Sequence, residues 1–206
     1  MSAEIEPQPP LKLTTPSVEG ANPPTTPLAI PEDAELARRA AGGDGRAFHL
    51  LVDRHGQRLY RMAVSLIGSP SDAEDVLQEA FAGAFRNLRT FEGRSSFKTW
   101  ITRILITQAA KWRRDRRRGP MKAIESIPEP AAGRQDPGDA AGRKIDVRAA
   151  LKLLSEEHRE VLVLREFDGL AYDAIAEVLG VPRGTVESRL HRARNELREK
   201  LKGYLP

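Results

Sequence analysis

The stretch LGVPRGTVESRLHRARNELREKL, residues 179–201, decides the fold of the C-terminal part of the chain. Apolar residues recur in it every three or four positions, which is the spacing of one face of a helix. These residues are Val186, Leu190, Ala193, Leu197 and Leu201. The positions between them are rich in arginine, so the pattern predicts a helix that buries one face and presents a basic face to solvent or to a partner.

A shorter helix and a turn are predicted immediately before this helix. Gly180 is typical of a helix end, and Pro182 is typical of a helix start. A short helix, a turn with glycine and a longer helix form the helix-turn-helix motif, whose second helix enters the major groove of DNA. Arginine side chains bind guanine and phosphate, and hydroxyl groups bind phosphate oxygens. We therefore predict that the basic face contacts duplex DNA, and a merely solvated arginine-rich face is the alternative.

The rest of the chain divides by composition. Residues 1–31 contain eight prolines and no aromatic residue, which predicts a disordered tail. Residues 119–145 contain four prolines and four glycines, which predicts a flexible linker. Residues 32–118 and 146–206 have helical periodicity, and no segment alternates as a strand does. The expected fold is all-α, with an N-terminal helical bundle and a C-terminal four-helix domain joined by the linker.

Capping residues predict where the helices of the N-terminal bundle begin. Asp44 is placed to cap a long helix. Ser71 and Glu74 have the three-residue spacing of a capping box at the start of the next helix. Ser95 or Ser96 is expected to start the last helix of the bundle.

One segment of the bundle is strongly basic. KWRRDRRR, residues 111–118, has six basic groups in eight and ends a helix that contains Trp100. Cations with nearby aromatic rings are typical of surfaces that bind single-stranded nucleic acid, because rings stack on bases while charges follow phosphates. Trp100 also fits a core position, whereas Phe91, in the preceding loop, is expected to be freer to stack on an unpaired base.

The segment DAEDVLQEAF places carboxylates on the outside of a helix whose inside is apolar. Carboxylates repel DNA and favour a basic protein partner. Acidic groups also stabilise the start of a helix, so stabilisation of the helix is an alternative explanation for these carboxylates. A metal site is not expected there, because the segment lacks the loop that gathers oxygen ligands.

The charge of the C-terminal domain is uneven. Residues 146–177 carry four basic and eight acidic groups, whereas residues 178–206 carry seven and three. The whole chain has a formal charge of +4, which indicates an anionic partner only weakly. The basic end coincides with the predicted DNA-binding helix. The distribution of charge therefore indicates a nucleic-acid partner more strongly than the net charge does.

Several function classes are disfavoured. The chain has no cysteine, and its four histidines show no ligand pair at i, i+4 spacing. His55 falls on an apolar stripe and is expected to be a buried, hydrogen-bonded core residue. No phosphate-binding loop or nucleophile motif occurs, so we expect no catalytic residue, no metal and no cofactor. The N-terminus lacks the features of a secretory signal and no apolar run is long enough to span a membrane, which predicts a cytoplasmic protein.

Three segments, DAEDVLQEAF, FEGRSSFKTWITRI and GTVESRLHRARNEL, resemble in this order the signatures of one family. They are similar to bacterial RNA polymerase sigma factors of the extracytoplasmic-function (ECF) group, within the sigma-70 superfamily. The resemblance covers about 70% of the chain. It implies that residues 32–118 are region 2, for polymerase docking and −10 recognition and melting. Residues 146–206 would be region 4, which recognises the −35 element.

The resemblance also implies partners and residue roles. The partners would be core RNA polymerase, promoter DNA and an anti-sigma factor, and the early helices of region 4 would face the polymerase β flap. Docking on the β′ coiled coil would use Asp72, Asp75, Gln78 and Glu79. Recognition and melting of the −10 element would use Phe91, Lys98, Trp100, Arg103, Thr107, Lys111 and Arg114. Recognition of the −35 duplex would use Arg183, Thr185, Glu187, Ser188, Arg189 and Arg192.

Some positions depart from the family pattern. Thr107 stands where the family usually has asparagine, and Lys111 stands where it usually has aspartate, so the resemblance does not define the −10 sequence preference. A common Glu-Ile-Ala reads Ala-Ile-Ala at residues 174–176, with Asp173 just before it. The alternative function is a helix-turn-helix transcriptional regulator that is not a polymerase subunit. A response regulator would need an α/β receiver domain, for which the sequence has no strand pattern.

Overall fold

In the computed structural model, residues 32–118 (the N-terminal half) and 147–202 (the C-terminal half) are described, and their regular structure is helical. The N-terminal half contains α1 (Asp33–Ala41), α2 (Gly45–Ile67), α3 (Pro70–Asn87), a 3₁₀ turn (Leu88–Thr90) and α4 (Phe97–Arg118). The C-terminal half contains α5 (Val147–Lys152), α6 (Glu156–Leu162), a π-helical turn (Val163–Phe167), α7 (Tyr172–Leu179) and α8 (Arg183–Leu201). The all-α prediction is confirmed for these residues. The predicted tail and linker lie outside them.

Two of the predicted helix caps are present. The Asp44 side chain accepts hydrogen bonds from the backbone N–H groups of Arg46 and Ala47, and so caps α2. The Ser96 hydroxyl accepts one from the N–H of Thr99 at 3.0 Å, in the first turn of α4. These caps satisfy N–H groups that have no partner inside the helix.

The predicted capping box at Ser71 and Glu74 is wrong. Helix α3 begins at Pro70, and the N-cap is Ser69, whose hydroxyl accepts from the N–H of Asp72 at 3.4 Å. Proline suits the first helical position because its φ is preset and it has no N–H to satisfy. This preference places the start of the helix before Ser71.

The core of the N-terminal half is formed by the apolar faces of its four helices. Its largest fully buried side chains are Leu36, Leu51, Leu59, Leu66, Ile101 and Leu105. Burial of each such side chain stabilises the fold by roughly 1.5–3 kcal/mol. His55 is buried on the same stripe, and its Nε2 lies 2.8 Å from Oδ2 of Asp33. The predicted buried, hydrogen-bonded histidine is confirmed.

The C-terminal half contains the predicted helix-turn-helix, formed by α7 and α8. The buried members of the α8 stripe are Val186, Leu190 and Ala193, whereas the last two predicted members are half-buried. Gly180 ends α7 with a φ of 65°, in the left-handed region that favours glycine. Pro182 precedes the first residue of α8 as its N-cap.

Helix α6 continues into a π-helical turn instead of ending regularly. The N–H of Asp168 donates to the carbonyl of Val163 at 3.2 Å, and Gly169 follows with a φ of 68°. Such turns are rare and often occur at functional positions. This one directs the Asp168 side chain against α2 of the N-terminal half, where it is only 2% exposed.

The two halves contact each other mainly through α4, which packs against α7. Arg113 of α4 is buried and forms an ion pair with Glu160 of α6. Burial raises the pKa of Glu160, although the Arg113 charge opposes the shift. Arg159 of α6 also donates to the backbone carbonyl of Leu66, in the last turn of α2, at 3.0 Å. We call this arrangement the closed form. None of the helices in residues 32–118 and 147–202 has the length and apolar composition needed to cross a bilayer.

Candidate nucleic-acid interface

Helix α8 presents most of the predicted duplex-reading residues to solvent. The exposed ones are Arg183, Glu187, Ser188 and Arg192, and the half-buried ones are Thr185 and Arg189. The helix keeps these side chains outside because its apolar stripe packs on α6 and α7. The structure therefore places the predicted −35 residues together on one helix.

The Arg183 guanidinium is held by two carboxylates. Its Nε donates to Oε1 of Glu187 at 3.0 Å, and its Nη1 lies 3.1 Å from Oδ2 of Asp173. The hydrogen bond with Glu187, followed by the charge of Asp173, raises the pKa of Arg183. The guanidinium also lies 6.0 Å from the centre of the Tyr172 ring. Arg183 therefore contacts two carboxylates at the start of α8, an arrangement that the sequence did not predict.

Arg189 and Arg192 differ in what they contact. Arg189 is 21% exposed, and its Nη2 lies 3.0 Å from Oε2 of Glu157 on α6. Arg192 is exposed and has no ion-pair or hydrogen-bond partner for its side chain within the described ranges. Arg192 can therefore bind an anion without breaking a contact, whereas Arg189 has to leave Glu157.

Helix α4 presents a second basic face. Arg103, Thr107 and Lys111 are exposed and follow one another at four-residue intervals, and Arg114 continues the row. The Thr107 hydroxyl donates to the carbonyl of Arg103 at 2.9 Å. Among residues 32–118 and 147–202, the three cations have no carboxylate partner. Such a face suits the phosphates of a nucleic acid strand.

Phe91 is not the free ring that the sequence predicts. It is half-buried, with its ring centre 5.3 Å from that of Trp100 and 5.7 Å from that of Phe97. Phe97 is buried and Trp100 is half-buried, so the three rings form an aromatic cluster at the start of α4. Packing against two rings removes more apolar area from water than an isolated loop position would.

Lys98 also has partners in the closed form. Its Nζ donates to the backbone carbonyl of Asp168 at 3.0 Å and lies 3.5 Å from Oδ2 of the same residue. In this arrangement Lys98 is part of the contact between the halves.

A cavity of about 460 Å³ separates the basic face of α4 from the helix-turn-helix. The four basic-face residues Arg103, Thr107, Lys111 and Arg114 line one side of it, and Val178, Leu179, Gly180 and Arg189 line the other. The structure thus brings four residues of the predicted −10 group and one residue of the predicted −35 group, Arg189, to the same cavity.

The acidic face of α3 takes no part in this cavity. Asp75, Gln78 and Glu79 are exposed, while the opposite face of the helix is buried. Asp72 is half-buried and pairs with Arg116 of α4 at 3.1 Å. Three of the four predicted docking residues are therefore accessible in the closed form, and the fourth is held by α4.

An exposed aromatic ring that the sequence analysis missed extends the acidic face. Phe85 is 55% exposed, and its ring centre lies 5.0 Å from that of Phe48. Phe85 follows Gln78 by two helical turns and therefore shares its face. Phe85 does not belong to the buried stripe of α3. Its seven-residue distance from Gln78 is the sequence signal that could have identified it as an exposed ring. An exposed ring beside polar groups is typical of a protein interface.

Two family models match the chain, the first over most of the N-terminal half and the second over most of the C-terminal half. The model Sigma-70 region 2 matches residues 51–119, which include the acidic face of α3 and the basic face of α4. The model Sigma-70, region 4 matches residues 144–197, which include the helix-turn-helix.

Curated proteins of known function are similar over most of their length. The RNA polymerase sigma-H factor of Pseudomonas aeruginosa is 36% identical over 196 residues, which cover 86% of this chain and 98% of that protein. The ECF RNA polymerase sigma-E factor of Haemophilus influenzae is 34% identical over 183 residues, covering 82% and 95%. The ECF RNA polymerase sigma-E factor of Escherichia coli K12 is 34% identical over 184 residues, covering 82% and 94%.

Two solved structures share the fold at 30% sequence identity. CnrH, in complex with the cytosolic domain of CnrY, has a TM-score of 0.64 and covers 83% of this chain and 97% of its own. The sigma factor RpoE of Bartonella quintana, in complex with the anti-sigma factor NepR, has a TM-score of 0.59 and covers 75% and 96%. With both family models matched in order and these relatives aligned over nearly their full length, the chain belongs to the sigma-70 family of RNA polymerase sigma factors, in its extracytoplasmic-function group.

Proposed function

We propose that this protein binds core RNA polymerase through α3 and directs it to promoters through α4 and α8. The observation that carries the proposal is the presence of three chemically different surfaces on one small chain. Two are basic, on α4 and α8, and one is acidic with an exposed ring, on α3. Cations suit DNA phosphates, whereas carboxylates beside an exposed aromatic ring suit a basic protein surface.

Helix α8 would read the −35 element as closed duplex, because the second helix of a helix-turn-helix enters the major groove. Arg192, which has no competing partner in the described ranges, would bind a phosphate first. The residues of the first two turns would face base edges. The full candidate set remains Arg183, Thr185, Glu187, Ser188, Arg189 and Arg192.

Helix α4 would bind the −10 element after its strands separate. The cations Arg103, Lys111 and Arg114 would follow the phosphates of one strand, and the half-buried rings of the aromatic cluster would stack on an unpaired base. Lys98 would join this surface once it leaves Asp168. Thr107 and Lys111, which depart from the family pattern, would alter the −10 preference.

Helix α3 would dock on the β′ coiled coil of the polymerase. Asp75, Gln78 and Glu79 would supply polar contacts, and Phe85 would supply an apolar anchor. Asp72 would take part only if it leaves Arg116. The acidic residues of α6 would face the β flap, after they separate from the arginines that they contact in the closed form.

Promoter binding would require the two halves to separate. In the closed form Asp168 holds Lys98, and the basic face of α4 and part of the helix-turn-helix line the same cavity of about 460 Å³. We infer that the closed form is a resting state and that the promoter-bound state is open. The CnrH structure contains the cytosolic domain of CnrY, and the RpoE structure contains the anti-sigma factor NepR. We extend the second case to this chain and propose that an anti-sigma factor binds it.

The protein would act in the cytoplasm, where its polymerase and promoter lie, without inserting into a membrane. It would catalyse no reaction itself, because RNA synthesis belongs to the polymerase, and it would need neither a metal nor a cofactor.

Run-off transcription with core polymerase, with and without this protein, tests the proposal. Transcripts from a defined promoter position are expected only when both are present. Equal specific initiation without the protein would contradict it, and so would DNA binding by the protein alone that the polymerase does not change. The second result would favour a helix-turn-helix regulator that is not a polymerase subunit.

A further inference from the structure

The start of α8 carries a carboxylate at a place where DNA binding ordinarily uses cations. Glu187 lies one turn after Arg183 and is 48% exposed. Its Oε1 accepts the hydrogen bond from Arg183, and its Oε2 has no partner within the part of the chain that the structure describes. A carboxylate near phosphates is repelled, so it can contribute to binding only where the DNA offers hydrogen-bond donors. In the major groove those donors are the exocyclic amino groups of cytosine and adenine.

Arg183 is poorly placed to read a base by itself. Its Nε–H is engaged with Glu187, and its Nη1 is engaged with both carboxylate oxygens of Asp173, at 3.2 and 3.1 Å. A bidentate contact with guanine needs two adjacent free N–H groups. A guanidinium offers two pairs of adjacent donors, Nε with Nη2 and Nη1 with Nη2. In Arg183 a carboxylate already engages one donor of each pair. Arg183 is therefore better suited to neutralise and orient Glu187 than to contact guanine.

The three side chains together favour discrimination over general affinity. One cation is shared by two carboxylates, so the group has no excess positive charge with which to attract phosphates. The O6 atom of guanine and the O4 atom of thymine would oppose an oxygen of Glu187 with another acceptor. An interaction that rejects the wrong partner contributes specificity without adding affinity.

We propose that Glu187 is a specificity-determining residue for the −35 element and that Arg183 and Asp173 position it. The free Oε2 accepts a hydrogen bond from the amino group of cytosine or adenine at one position and excludes guanine and thymine there. This inference rests on the proposed function, since it requires α8 to read the −35 duplex.

A promoter library with a randomised −35 element tests the inference. Holoenzyme reconstituted from core polymerase and the full chain is allowed to initiate, and the transcribed templates are sequenced. For the unchanged protein, one position is expected to be depleted of guanine and thymine by roughly ten-fold, the effect of one mismatched base pair. The C-to-A ratio at that position tells which amino group is preferred. In Glu187→Gln the amide can also donate, so guanine and thymine are expected to be accepted at that position alone.

Two further variants separate positioning from structure. Arg183→Ala is expected to relax the same position, and Arg183→Lys is expected to restore part of the preference, because lysine keeps one donor for Glu187. The matched control is Glu199→Gln, an exposed glutamate of α8 that pairs with Lys202 at 2.7 Å, and its profile is expected to stay unchanged. Circular dichroism checks that every variant is folded.

The outcomes are distinct. A Glu187→Gln profile identical to that of the unchanged protein overturns the role of Glu187. Relaxation of a different position in Arg183→Ala overturns the positioning role, because Arg183 would then read its own base. Failure of the unchanged holoenzyme to initiate, or initiation with no −35 preference at all, would instead count against the proposed function.

Discussion

Arg58 of α2 and Asp168, which follows the π-helical turn, join the two halves of the chain through a hydrogen bond of 2.6 Å. The Asp168 side chain is 2% exposed and that of Arg58 is 20% exposed, and Lys98 adds a second cation. Removing one partner of a buried ion pair leaves an uncompensated charge and costs far more than loss of an exposed pair. We therefore expect Asp168 to be one of the residues that hold the closed form together.

Replacing Asp168 by asparagine is expected to shift the protein toward an open form. The chain has no natural cysteine, so Gln57→Cys on α2 and Glu177→Cys on α7 can carry spin labels for electron–electron distance measurement. The labelled parent is expected to give one narrow distance, and Asp168→Asn is expected to add a longer, broader population. Glu166→Gln is the matched control, because it removes an exposed pair with Arg194 inside the C-terminal half. A narrow, unchanged distance in Asp168→Asn would show that this contact does not hold the halves together.

The carboxylates of the acidic face of α3 and the exposed Phe85 ring beside them are each expected to contribute to polymerase binding. Asp75→Lys reverses a charge and Phe85→Ala removes an exposed ring, and each is expected to weaken binding roughly ten-fold, since interface anchors commonly contribute more than 1 kcal/mol. Both positions are exposed, so helicity is expected to stay unchanged. Glu35→Lys and Phe167→Ala are matched controls at exposed positions outside this face. Binding to immobilised core polymerase is the measurement, and equal losses in the controls would mean that the face is not specific.

Local features of the fold follow from the sequence because their causes lie within a few residues. The α8 stripe is set by side-chain period, and the Asp44 and Ser96 caps are set by a side chain and an N–H two or three residues later. The error at Ser71 has the same local origin, since a competing cap at Ser69 precedes a proline. Periodicity states which face is buried but not which element covers it.

Contacts between distant segments could not be predicted in this way. Arg113 and Glu160 are 47 residues apart in the chain, and either could have been a solvated surface residue. The Phe91 ring could be assigned to the aromatic cluster only after the loop and α4 were placed together. For the candidate site, the sequence predicted which helices carry it. It did not predict that carboxylates hold Arg183 and Arg189, because ion pairs of exposed side chains leave no periodic signal.

The salt dependence of promoter binding is expected to distinguish Arg192 from other arginines of α8. Each phosphate contact that is lost lowers the slope of log affinity against log salt concentration by about one. Arg192→Ala is therefore expected to flatten the slope for holoenzyme binding to duplex promoter. Arg198→Ala, an exposed arginine in the last turns of α8 that contacts Asn195, is the control and is expected to leave the slope unchanged. Equal slopes for Arg192→Ala and the parent would remove Arg192 from the phosphate-binding set.

Acidification is expected to destabilise the N-terminal half through His55. Burial, together with the smaller effects of the Arg58 and Arg54 charges, lowers the pKa of His55 below its ordinary value of about 6.5, although the Asp33 carboxylate opposes the shift. Just below pH 6.5 the unfolded chain therefore binds a proton that the folded chain does not, so the free energy of unfolding falls as the pH falls. Urea unfolding between pH 7.5 and 6.0 is expected to show this decrease in the parent and a smaller one in His55→Leu. A parent that gains stability over this range would mean that the Asp33 ion pair outweighs burial.

The aromatic cluster at the start of α4 is expected to act when the promoter melts and not when duplex DNA is first bound. Removing a base from the stack costs a few kcal/mol, and stacking on an aromatic ring returns roughly 1–3 kcal/mol. A template already mismatched across the −10 region removes that cost in advance. Phe91→Ala holoenzyme is therefore expected to initiate poorly on duplex promoter and to recover substantially on the mismatched one. The double variant Arg189→Ala, Arg192→Ala is expected to stay weak on both, because its defect lies in recruitment to duplex.

The ratio of initiation on the mismatched template to initiation on the duplex template distinguishes a melting defect from a folding defect. Phe91 packs on Trp100 and Phe97, so its removal also takes packing from the N-terminal half. Loss of folded protein would lower initiation on both templates alike and leave their ratio unchanged, whereas a melting defect changes the ratio. Permanganate reactivity of −10 thymines reports strand separation, and abortive transcripts report initiation. If mismatch rescues Phe91→Ala and the double variant to the same extent, α4 and α8 do not divide melting and duplex reading between them, and both surfaces act in a single recruitment step.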